Sequence, residues 1–370
     1  MTNLDQLRTE LARLDDEIIR LAAHRRQLAR QVGQAKDQTD RPLRDFAQER
    51  EVHNRAARAA RAHGLPLSLA RAVTNLLIQD ALTVQERGRV TGRAGGAGKR
   101  ALVIGGSGRM GNWMARFLDS QGYDVEVADP IHSPSGFPTH SDWRELTLDQ
   151  DLIIVAAPLR QTAAILNQIG TLPPPRGVIA DIGSLKSPLV APLEALAARG
   201  SAVTSLHPMF GPDTEVLSGS QVIVVDFGNP AANQTIQDLF ASTMAEVIVL
   251  DPDSHDRAIA WVLGLSHALN ISFGAALARG ALATLSNRPI SSTTFSLQSE
   301  VAGRLSRENP RLYFEIQSLN NFGMESLESL VHAVTALRDT IQAGDEAGFI
   351  QLMDSGREFF ENQSSPPAAG

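Results

Sequence analysis

The chain has 370 residues, of which 43% are hydrophobic and 20% are charged, proportions that are ordinary for a protein with a buried core. At roughly 150 residues per domain, this length predicts two or three domains. The absence of cysteine excludes disulfides, thiolate metal sites, iron–sulfur clusters and a cysteine nucleophile. The acidic, amphipathic start is unlike a secretory signal. No run of about 18 apolar residues is evident, so we expect no membrane partner and a cytoplasmic protein.

The net charge of −7 is unevenly distributed along the chain. Residues 1–90 contain 16 Lys and Arg against 12 Asp and Glu, a net of +4, which leaves −11 for the remainder. Phe46 is the only aromatic residue in this basic segment, so stacking of single-stranded bases is not expected there. We therefore expect no nucleic-acid partner, although double-stranded DNA stays compatible with the charge.

Apolar residues spaced by three or four from Leu4 to Val32 predict one amphipathic helix of about 35 residues. At about 50 Å, such a helix is longer than a small helical domain is wide. We therefore expect it to pair with a second copy of the chain in an intertwined homodimer. Further helices are predicted from near Asp45 and from near Ser68, with Ser68 as N-cap. Residues 1–90 are thus interpreted as an all-α domain.

Five glycines between Gly88 and Gly98 predict a linker, placed at residues 91–99. In residues 100–250, short apolar runs alternate with helical stretches, which is typical of a doubly wound, Rossmann-type α/β domain. Residues 251–362 have the pattern of helices only and are interpreted as an all-α dimerisation domain. The predicted strands are 101–104, 124–128, 152–156, 177–181, 202–206 and 221–225.

A glycine-rich turn with the pattern G-x-G-x-x-G follows the first predicted strand. In this pattern Gly106 permits a tight turn, Gly108 lets the backbone approach a pyrophosphate, and Gly111 lets the next helix pack closely on the strand. The helix N-terminus then faces the phosphates. The predicted cofactor-binding residues of the turn are Gly106, Ser107, Gly108, Arg109, Met110 and Gly111.

Asp129 follows the second predicted strand, 18 residues after Gly111. A carboxylate at this place is expected to bind the ribose hydroxyls and to repel a 2′-phosphate, which favours NAD over NADP. NAD is therefore the predicted cofactor. The alternative is a simple Asp-Pro turn at a solvated strand end.

Two polar loops, at 181–186 and 207–213, follow later predicted strands. Open α/β sheets bind ligands at the carboxyl ends of their strands, where both loops fall. His207 in such a place can take a proton from a hydroxyl while hydride leaves the same carbon. The alternative is a structural histidine that caps the loop.

The two loops, Asp-Ile-Gly-Ser-Leu-Lys and His-Pro-Met-Phe-Gly-Pro-Asp, resemble those of the prephenate dehydrogenase family. That family oxidises prephenate with NAD and releases the ring carboxylate as CO2. The resemblance implies that His207 is the base for the ring 4-hydroxyl, that Ser184 orients it, and that Lys186 lies nearby. No metal is implied, because formation of the aromatic ring drives decarboxylation as hydride goes to NAD.

A dicarboxylate substrate calls for cations in the C-terminal helices. The run Gly-Leu-Ser-His at 264–267 resembles the family helix whose histidine contacts the pyruvyl side chain, which implies this role for His267. Arg304 resembles an arginine that holds the ring carboxylate, for which its bidentate guanidinium is suited. A core histidine and a surface ion pair are the alternatives. Ser266 stands where some bifunctional members have arginine, which leaves prephenate and arogenate both open as substrates.

Residues 1–90 resemble the all-helical chorismate mutases. Arg25 and Lys36 are about three helical turns apart and so share one face of the first helix. The resemblance implies that they bind two substrate carboxylates together with Arg8 of the partner subunit. Solvated helix charges are the alternative. The matching stretches are 7–8, 14–15, 23–28, 32–36, 41–45, 48–50 and 78–85.

The mutase reaction, chorismate to prephenate, is an intramolecular rearrangement that needs neither a nucleophile nor proton transfer. It is accelerated by holding the reactive conformer and by stabilising negative charge on the ether oxygen. The resemblance implies that Lys36 and Gln85 contact this oxygen. It also implies that Glu49 and the backbone at Asp45 receive the ring 4-hydroxyl.

Two positions depart from the mutase pattern: Gln48 stands where the family usually has arginine, and Ala81 where it often has serine. A pocket with less positive charge suits a substrate that carries an ammonium in place of the 4-hydroxyl. 4-Amino-4-deoxychorismate is such a compound, and its two successive transformations need the same two activities. This series, which ends at 4-aminophenylpyruvate, is the alternative to the main expectation.

The main expectation is a chorismate mutase fused to a prephenate dehydrogenase, resembling the bifunctional T-protein family of tyrosine biosynthesis from end to end. Two alternatives belong to other classes of protein. Residues 1–90 could serve only as a dimerisation helix or DNA-binding arm on another β-hydroxyacid dehydrogenase. The whole chain could instead be a regulatory protein that binds NAD without doing chemistry.

Overall fold

Two compact units make up the chain in the computed structural model. The first comprises Met1–Ser184 and Leu189–Pro252, and the second comprises Leu185–Pro188 and Asp253–Gly370. The structure describes residues 4–39, 41–93, 95–131, 136–280 and 290–364.

The first unit begins with three helices, and the first of them confirms the predicted long helix at 35 residues. The second starts directly after Asp45, whose carboxylate caps it by accepting the backbone N–H of Gln48 at 3.0 Å. The three helices are α1 (Leu4–Gln38), α2 (Phe46–Ala62) and α3 (Leu67–Gly92).

Both ends of α3 differ from the prediction. The helix begins immediately after Pro66, so Ser68 lies inside its first turn and the prediction of Ser68 as N-cap is wrong. Proline explains the early start, because its fixed φ already suits the entry to a helix. At the other end α3 continues to Gly92, into the predicted linker, because Val90 is still buried by packing.

The apolar stripe of α1 is largely uncovered in a single chain. Leu7, Leu11 and Ile18 are 50%, 60% and 60% exposed. The buried residues of α1 are Ala29 and Gly33, near its C-terminal end. A row of exposed leucines at helical spacing is typical of a surface that another helix covers.

The rest of the first unit is built on an eight-stranded sheet in the order β3-β2-β1-β4-β5-β6-β7-β8. Neighbouring strands are parallel except for β6 and β7, which are antiparallel. This sheet confirms the predicted Rossmann-type α/β fold. The strands are β1 (Arg100–Ile104), β2 (Asp124–Ala128), β3 (Thr139–His140), β4 (Leu152–Val155), β5 (Val178–Asp181), β6 (Val203–Pro208), β7 (Gln221–Val225) and β8 (Glu246–Leu250).

The prediction missed two strands, β3 and β8. The first has two residues and is too short to show a pattern. The second has the sequence Glu-Val-Ile-Val-Leu, whose β-branched run is a strand signal that could have been used.

Helices cover the sheet, as alternating elements require. On α4, Met114 and Leu118 are fully buried together with Val103 of β1 and Ile154 of β4, so this part of the sheet forms the core. The helices of this region are α4 (Arg109–Ser120), α5 (Leu159–Ile169), α6 (Val190–Ala198) and α7 (Pro230–Phe240), with a 3₁₀ turn at Trp143–Glu145.

The described residues of the second unit contain helices and no strand, as predicted for the segment after residue 250. A π-helical stretch, Ala260–Leu265, separates its first two helices and directly precedes Ser266 and His267. Single π-turns of this kind occur frequently at functional sites. The helices are α8 (Pro252–Ile259), α9 (Ser266–Arg279), α10 (Thr293–Leu305), α11 (Pro310–Ser318), α12 (Gly323–Ala343) and α13 (Glu346–Ser364).

One helical stretch among the described residues, Pro252–Arg279, is long and apolar enough to cross a membrane by length and composition alone. Its most apolar window has a mean hydropathy of 1.4. By this criterion, the expectation that nothing could span a membrane is too strong. One such helix is weak evidence for a membrane protein, because a core helix of a globular protein passes the same test.

Candidate active sites

The C-terminal half of α1 carries two half-buried cations, Arg25 and Lys36. The Arg25 guanidinium donates to the carbonyl of Leu77 on α3. The Lys36 ammonium donates to the carbonyl of Leu43 at 2.5 Å. Both cations are therefore held by backbone oxygens, in positions fixed by the neighbouring elements.

Burial lowers the pKa of Lys36, and the charge of Arg89 lowers it further. The carboxylates of Asp45 and Glu49 act in the opposite direction, since each favours the charged ammonium. The structure thus brings three residues of the predicted mutase site, Lys36, Asp45 and Glu49, within electrostatic reach of one another.

Helix α3 contributes a buried amide to the same region. Gln85 is 7% exposed, and its Oε1 has no hydrogen-bond partner among the described residues. It packs directly on Gly33 of α1, where an added Cβ would lie 2.9 Å from Gln85 Cγ. Ala81 is half-buried one turn earlier on α3. A buried amide with an unused acceptor is a group that a polar ligand can satisfy.

Arg44 also belongs to this region, although no role is predicted for it above. Its guanidinium binds both oxygens of Glu49, with Nε–Oε1 at 3.0 Å and Nη2–Oε2 at 3.2 Å. It also lies over the ring of Phe46, 4.5 Å from the centroid. Gln48, the departure from the family pattern, is exposed. The region therefore keeps an ordered cation four residues before Gln48.

Arg8 does not join these residues within one chain. It lies on the exposed part of α1, 3.8 Å from Asp5. Arg25 is 17 residues further along the same straight helix, a distance of about 25 Å. A contribution of Arg8 to the same site therefore requires a second copy of the chain.

The glycine-rich turn lies between β1 and α4, with Gly108 as the N-cap residue of the helix. The tight turn is made by Gly105, which has a φ of +89°, and not by Gly106 as predicted. Gly106 is needed for close packing instead, because a Cβ there would lie 2.6 Å from Val127 of β2. At Gly111 a Cβ would lie 2.2 Å from the Gly105 carbonyl oxygen, which agrees with the predicted close approach of helix and strand.

Asp129 lies at the end of β2 and is tied to the turn. Its two oxygens accept the backbone N–H groups of Ser107 at 3.0 Å and Ile131 at 2.9 Å. A cavity of about 940 Å³ opens beside it, lined also by Trp143 and Arg144. Arg109 and Met110 form the first turn of α4. The arrangement places a helix N-terminus beside a carboxylate, which are the groups that bind a pyrophosphate and a ribose.

His207 belongs to β6 itself, because Pro208 and His207 pair with Val222 and Ile223 of β7. The predicted strand end at 206 is therefore too early. His207 is 3% exposed. It lies at the carboxyl end of β6, and Ser184 follows the carboxyl end of the adjacent parallel strand β5.

A buried aspartate stiffens the end of β5. Asp181 is fully buried. It accepts a hydrogen bond from the Ser205 hydroxyl of β6 at 2.5 Å and one from the Gly183 backbone at 2.7 Å. These bonds fix the start of the loop that carries Ser184.

In the second unit, Lys186 is fully buried, and its backbone N–H donates to Asp256 at 2.9 Å. Asp256 also accepts bonds from Ser187 and from His255 Nδ1 at 2.7 Å. Burial raises the pKa of Asp256, but the hydrogen bonds outweigh it, so the pKa is lowered overall. This ionised carboxylate thus anchors residues 186 and 187 to α8.

His267 and Arg304 lie in different environments of the second unit. Burial lowers the pKa of His267, whose ring is 4.5 Å from that of Tyr313. Its Nδ1 is buried without a hydrogen-bond partner in the described part of the chain. The Arg304 side chain is 76% exposed and pairs with Glu300 at 2.5 Å, which is the surface ion pair that the sequence left as an alternative.

Three family models match the chain in succession. They are chorismate mutase type II over residues 7–86, the nucleotide-binding domain of prephenate dehydrogenase over 136–249, and the dimerization domain of prephenate dehydrogenase over 251–355. The chain thus combines a chorismate mutase type II domain with the nucleotide-binding and dimerization domains of a prephenate dehydrogenase. The predicted combination of the two enzymes is confirmed.

Relatives and solved structures agree with this combination of domains. The T-protein of Enterobacter agglomerans is 26% identical over 97% of this chain and 94% of its own length. The "Probable arogenate/prephenate dehydrogenase" of Methanocaldococcus jannaschii is 27% identical over 71% of this chain, and the match spans 61% of that relative. The crystal structure of the Aquifex aeolicus prephenate dehydrogenase with hydroxyphenyl propionate and NAD+ superimposes with a TM-score of 0.57. It covers 71% of this chain and 98% of that one at 17% identity, which shows a common fold.

The nucleotide-binding model begins at residue 136 and therefore excludes the glycine-rich turn and Asp129. The region has a nucleotide-binding fold, while the roles of the individual residues in the turn rest on their geometry alone.

Proposed function

We propose that this chain is a bifunctional enzyme of tyrosine biosynthesis. It rearranges chorismate to prephenate and then converts prephenate, with NAD, to 4-hydroxyphenylpyruvate and CO2. The observation that carries this proposal is the presence of both enzymes' domains in one chain, matched almost from end to end by a T-protein. We assign the mutase to residues 1–90, the linker to 91–99, nucleotide binding to 100–250 and substrate binding with dimerisation to 251–362.

The mutase step needs a pocket that holds a dicarboxylate in its reactive conformer. Arg25 and Lys36, with Arg8 of the partner subunit, bind the carboxylates. The Lys36 ammonium and the buried Gln85 amide stabilise the negative charge that grows on the ether oxygen as its bond to the ring breaks. Glu49 and the backbone at Asp45 receive the ring hydroxyl. The supporting observation is that backbone oxygens already hold both cations in place.

The dehydrogenase step uses His207 as base. His207 takes the proton of the ring 4-hydroxyl as the carbon that bears it loses hydride. The ring carboxylate then leaves as CO2, its bonding electrons complete the aromatic ring, and the proton returns to the ring oxygen to give the phenol. The nicotinamide supplies the hydride acceptor. Ser184 orients His207, and the bonds of Asp181 to Ser205 and Gly183 support both strand ends.

The cofactor is NAD in preference to NADP. Asp129 places negative charge where a 2′-phosphate would lie. Arg144 lines the same cavity, but its guanidinium is bound by Asp142, with Nη2–Oδ2 at 2.5 Å. Hydrogen bonds from Arg144 lower the pKa of Asp142 to about 2, so the charge of Arg144 is balanced by that of Asp142.

In the second unit, we assign His267 to the pyruvyl side chain and Arg304 to the ring carboxylate, with Lys186 as a further substrate-binding residue. His267 is neutral at pH 7 because burial lowers its pKa, so its imidazole binds as a hydrogen-bonding group. For Arg304 to bind substrate, its exposed bond to Glu300 must exchange, which costs little because surface ion pairs are worth about 0–1 kcal/mol. Ser266 leaves room for either prephenate or arogenate.

The 4-amino substrate series receives less support. An ammonium at the ring position would need the Glu49 carboxylate as its partner, but Arg44 already binds both oxygens of Glu49. The charges of Arg44 and Glu49 therefore balance each other, which suits a neutral hydroxyl even though Gln48 replaces the usual arginine. The 4-hydroxy series is the one we propose.

The chain works as a cytoplasmic homodimer. The exposed leucines of α1 and the distance between Arg8 and Arg25 both call for a second copy at the mutase site. A role of residues 1–90 as a dimerisation helix alone, or as a DNA-binding arm, would leave the buried Gln85 amide without purpose.

Separate inactivation of the two sites tests the proposal. Arg25→Ala should lose chorismate turnover and still oxidise added prephenate, whereas His207→Asn should do the opposite. A scaffold role for residues 1–90 predicts no effect of Arg25→Ala on any activity. A regulatory protein that binds NAD without chemistry predicts that neither wild type nor His207→Asn reduces NAD.

A further inference from the structure

Glu86 is a buried carboxylate on α3 to which neither proposed reaction assigns a role. It directly follows Gln85 and is 4% exposed. Its Oε2 accepts the backbone N–H of Leu217 at 2.8 Å, and its Oε1 accepts that of Met244 at 2.6 Å. One side chain of the mutase region therefore binds two separate loops of the nucleotide-binding region.

The first of these loops comprises residues 209–220 and is here named the junction loop. It joins the end of β6, where His207 lies, to the start of β7. Met244 lies just before β8, whose first residue, Glu246, pairs with Gln221 at the start of β7. Glu86 thus binds the two segments that lead into the paired starts of β7 and β8, and β7 pairs there with the carboxyl end of β6.

The junction loop is also bound to the glycine-rich turn. The Arg109 guanidinium, in the first turn of α4, pairs with Asp213 at 2.7 Å. The indole of Trp113 donates to the Thr214 carbonyl at 3.0 Å. The Arg109–Asp213 side chains are 60% and 89% exposed, so this pair contributes little energy. The part-buried Trp113 bond is therefore the firmer tie between the loop and α4, the helix whose N-terminus we assign to the cofactor pyrophosphate.

A second contact joins the mutase site to the same loop. Arg44, which binds Glu49, also donates from Nη1 to the Ser218 hydroxyl at 3.0 Å. Gln85 is thus linked to the junction loop through its neighbour Glu86, and Glu49 is linked to the loop through Arg44.

Few other groups fill this junction. A cavity of about 610 Å³ lies between α3, α4 and the junction loop. The neighbouring pair Arg87–Glu215, at 3.2 Å, is 58% and 72% exposed, and exposed pairs contribute little energy. Hydrogen bonds to a buried carboxylate are much stronger, so Glu86 carries the main link to the loop, with the Arg44–Ser218 bond as the second.

We propose that Glu86 is a positioning residue that couples the two active sites, by holding the junction loop in register with the mutase helix α3. This inference rests on the proposed function. A ligand that fixes Gln85 and Glu49 also fixes Glu86 and Arg44, and so holds the loop in the arrangement in which Arg109 lies beside the cofactor. Occupation of the mutase pocket therefore tightens cofactor binding, and by reciprocity NAD tightens binding at the mutase pocket.

The test measures the Kd of NAD by titration of the full-length protein, with and without a saturating oxabicyclic dicarboxylate that mimics the mutase transition state. We expect the dicarboxylate to lower the Kd of NAD by about fivefold or more in the wild type, the usual lower range for coupled sites. In Glu86→Gln, the side-chain NH2 replaces one of the two acceptor oxygens, so one hydrogen bond to a backbone N–H is lost. The dicarboxylate should then change the Kd of NAD by less than about twofold. Arg87→Ala, the matched control on the same helix and loop, should keep the wild-type shift, and Arg25→Ala should abolish it by blocking the dicarboxylate.

An unchanged shift in Glu86→Gln, or no shift in the wild type, would overturn the inference. A purely structural role for Glu86 predicts a lower melting temperature with the coupling intact. If Glu86→Gln does not fold, amide hydrogen exchange in the wild type decides the question. Exchange at Leu217 and Met244 should slow when the dicarboxylate binds, and equal exchange rates would contradict the coupling. A wild type that turns over neither chorismate nor prephenate would instead refute the proposed function.

Discussion

Lys36 shows how burial sets the pH range of a single residue. Burial lowers its pKa from the ordinary 10.5, and the proposed mutase step uses only the charged ammonium. The ammonium is lost as pH rises through the lowered pKa, so kcat/KM for chorismate should fall on the alkaline side with an apparent pKa below 10.5. A pH profile of chorismate consumption measures this.

The variant Lys36→Arg is the control for this prediction, because arginine keeps its charge throughout the accessible pH range. Its activity will be lower, but the alkaline fall should disappear from its profile. If the same fall persists in Lys36→Arg, the titrating group is not Lys36.

Asp129 is the residue on which the preference for NAD depends. In Asp129→Ala, kcat/KM with NAD should fall by about tenfold to a hundredfold, which corresponds to the loss of a charge-assisted hydrogen bond. The value with NADP should rise, and rise further when Asp142→Ala releases Arg144 as well. Steady-state rates with NAD and with NADP measure the preference. If the ratio of the two kcat/KM values is unchanged in the double variant, the role of Asp129 in cofactor preference is contradicted.

At the scale of single residues, the sequence predicted groups whose neighbours are local. Asp129 and His207 are found because they lie at the carboxyl ends of apolar strands. The roles of Glu86 and Arg44 depend on the Leu217 backbone N–H and the Ser218 hydroxyl, more than 130 residues away, which no local pattern shows. The tight turn lies at Gly105, one residue before the motif begins at Gly106, because the spacing of glycines does not show which of them has a positive φ.

Helices α1 and α3 meet at Gly33 and Gln85, so their packing and the proposed mutase chemistry share a contact. In Gly33→Ala the new Cβ would lie 2.9 Å from Gln85 Cγ, and the displaced amide should lower the mutase kcat by about tenfold, a typical cost of a misplaced catalytic group. Prephenate oxidation should fall much less.

Gly88, one turn from Gln85 on α3, is the matched control for Gly33. Among the described residues, no atom lies within 4 Å of a Cβ at this position. Gly88→Ala should therefore leave both activities unchanged and stabilise the helix by about 0.5–1 kcal/mol. Thermal unfolding and activity assays on both variants measure these effects, and equal mutase activities would contradict the proposed contact.

Hydrophobic periodicity predicted the elements well where they are long. The 35 residues of α1 and most of the sheet follow from it, because their apolar residues all face one core. The ends of α3 did not follow, since Pro66 and the buried Val90 shift them by a few residues. The short strand β3 has no pattern of its own and forms by pairing with β2.

For the whole molecule, the intertwined dimer predicts complementation between two inactive variants. Arg8→Ala and Arg25→Ala should each lose mutase activity as homodimers. After subunit exchange, half of the dimers are mixed, and each mixed dimer has one intact site, so about a quarter of wild-type activity should return. Chorismate consumption by the mixture measures it, and no recovery despite exchange would contradict a shared site.

The order of the enzymes along the chain could be predicted from the sequence, because each has its own motifs. The contact between the mutase helices and the junction loop could not be predicted, since it is made by a few polar groups across a largely open junction.

The most direct measurement supplies purified protein with chorismate alone, and then adds NAD. We predict that chorismate is converted to prephenate, and that NAD then yields one NADH, one CO2 and one 4-hydroxyphenylpyruvate per prephenate. Failure to form prephenate, with turnover of 4-amino-4-deoxychorismate in its place, would contradict the account.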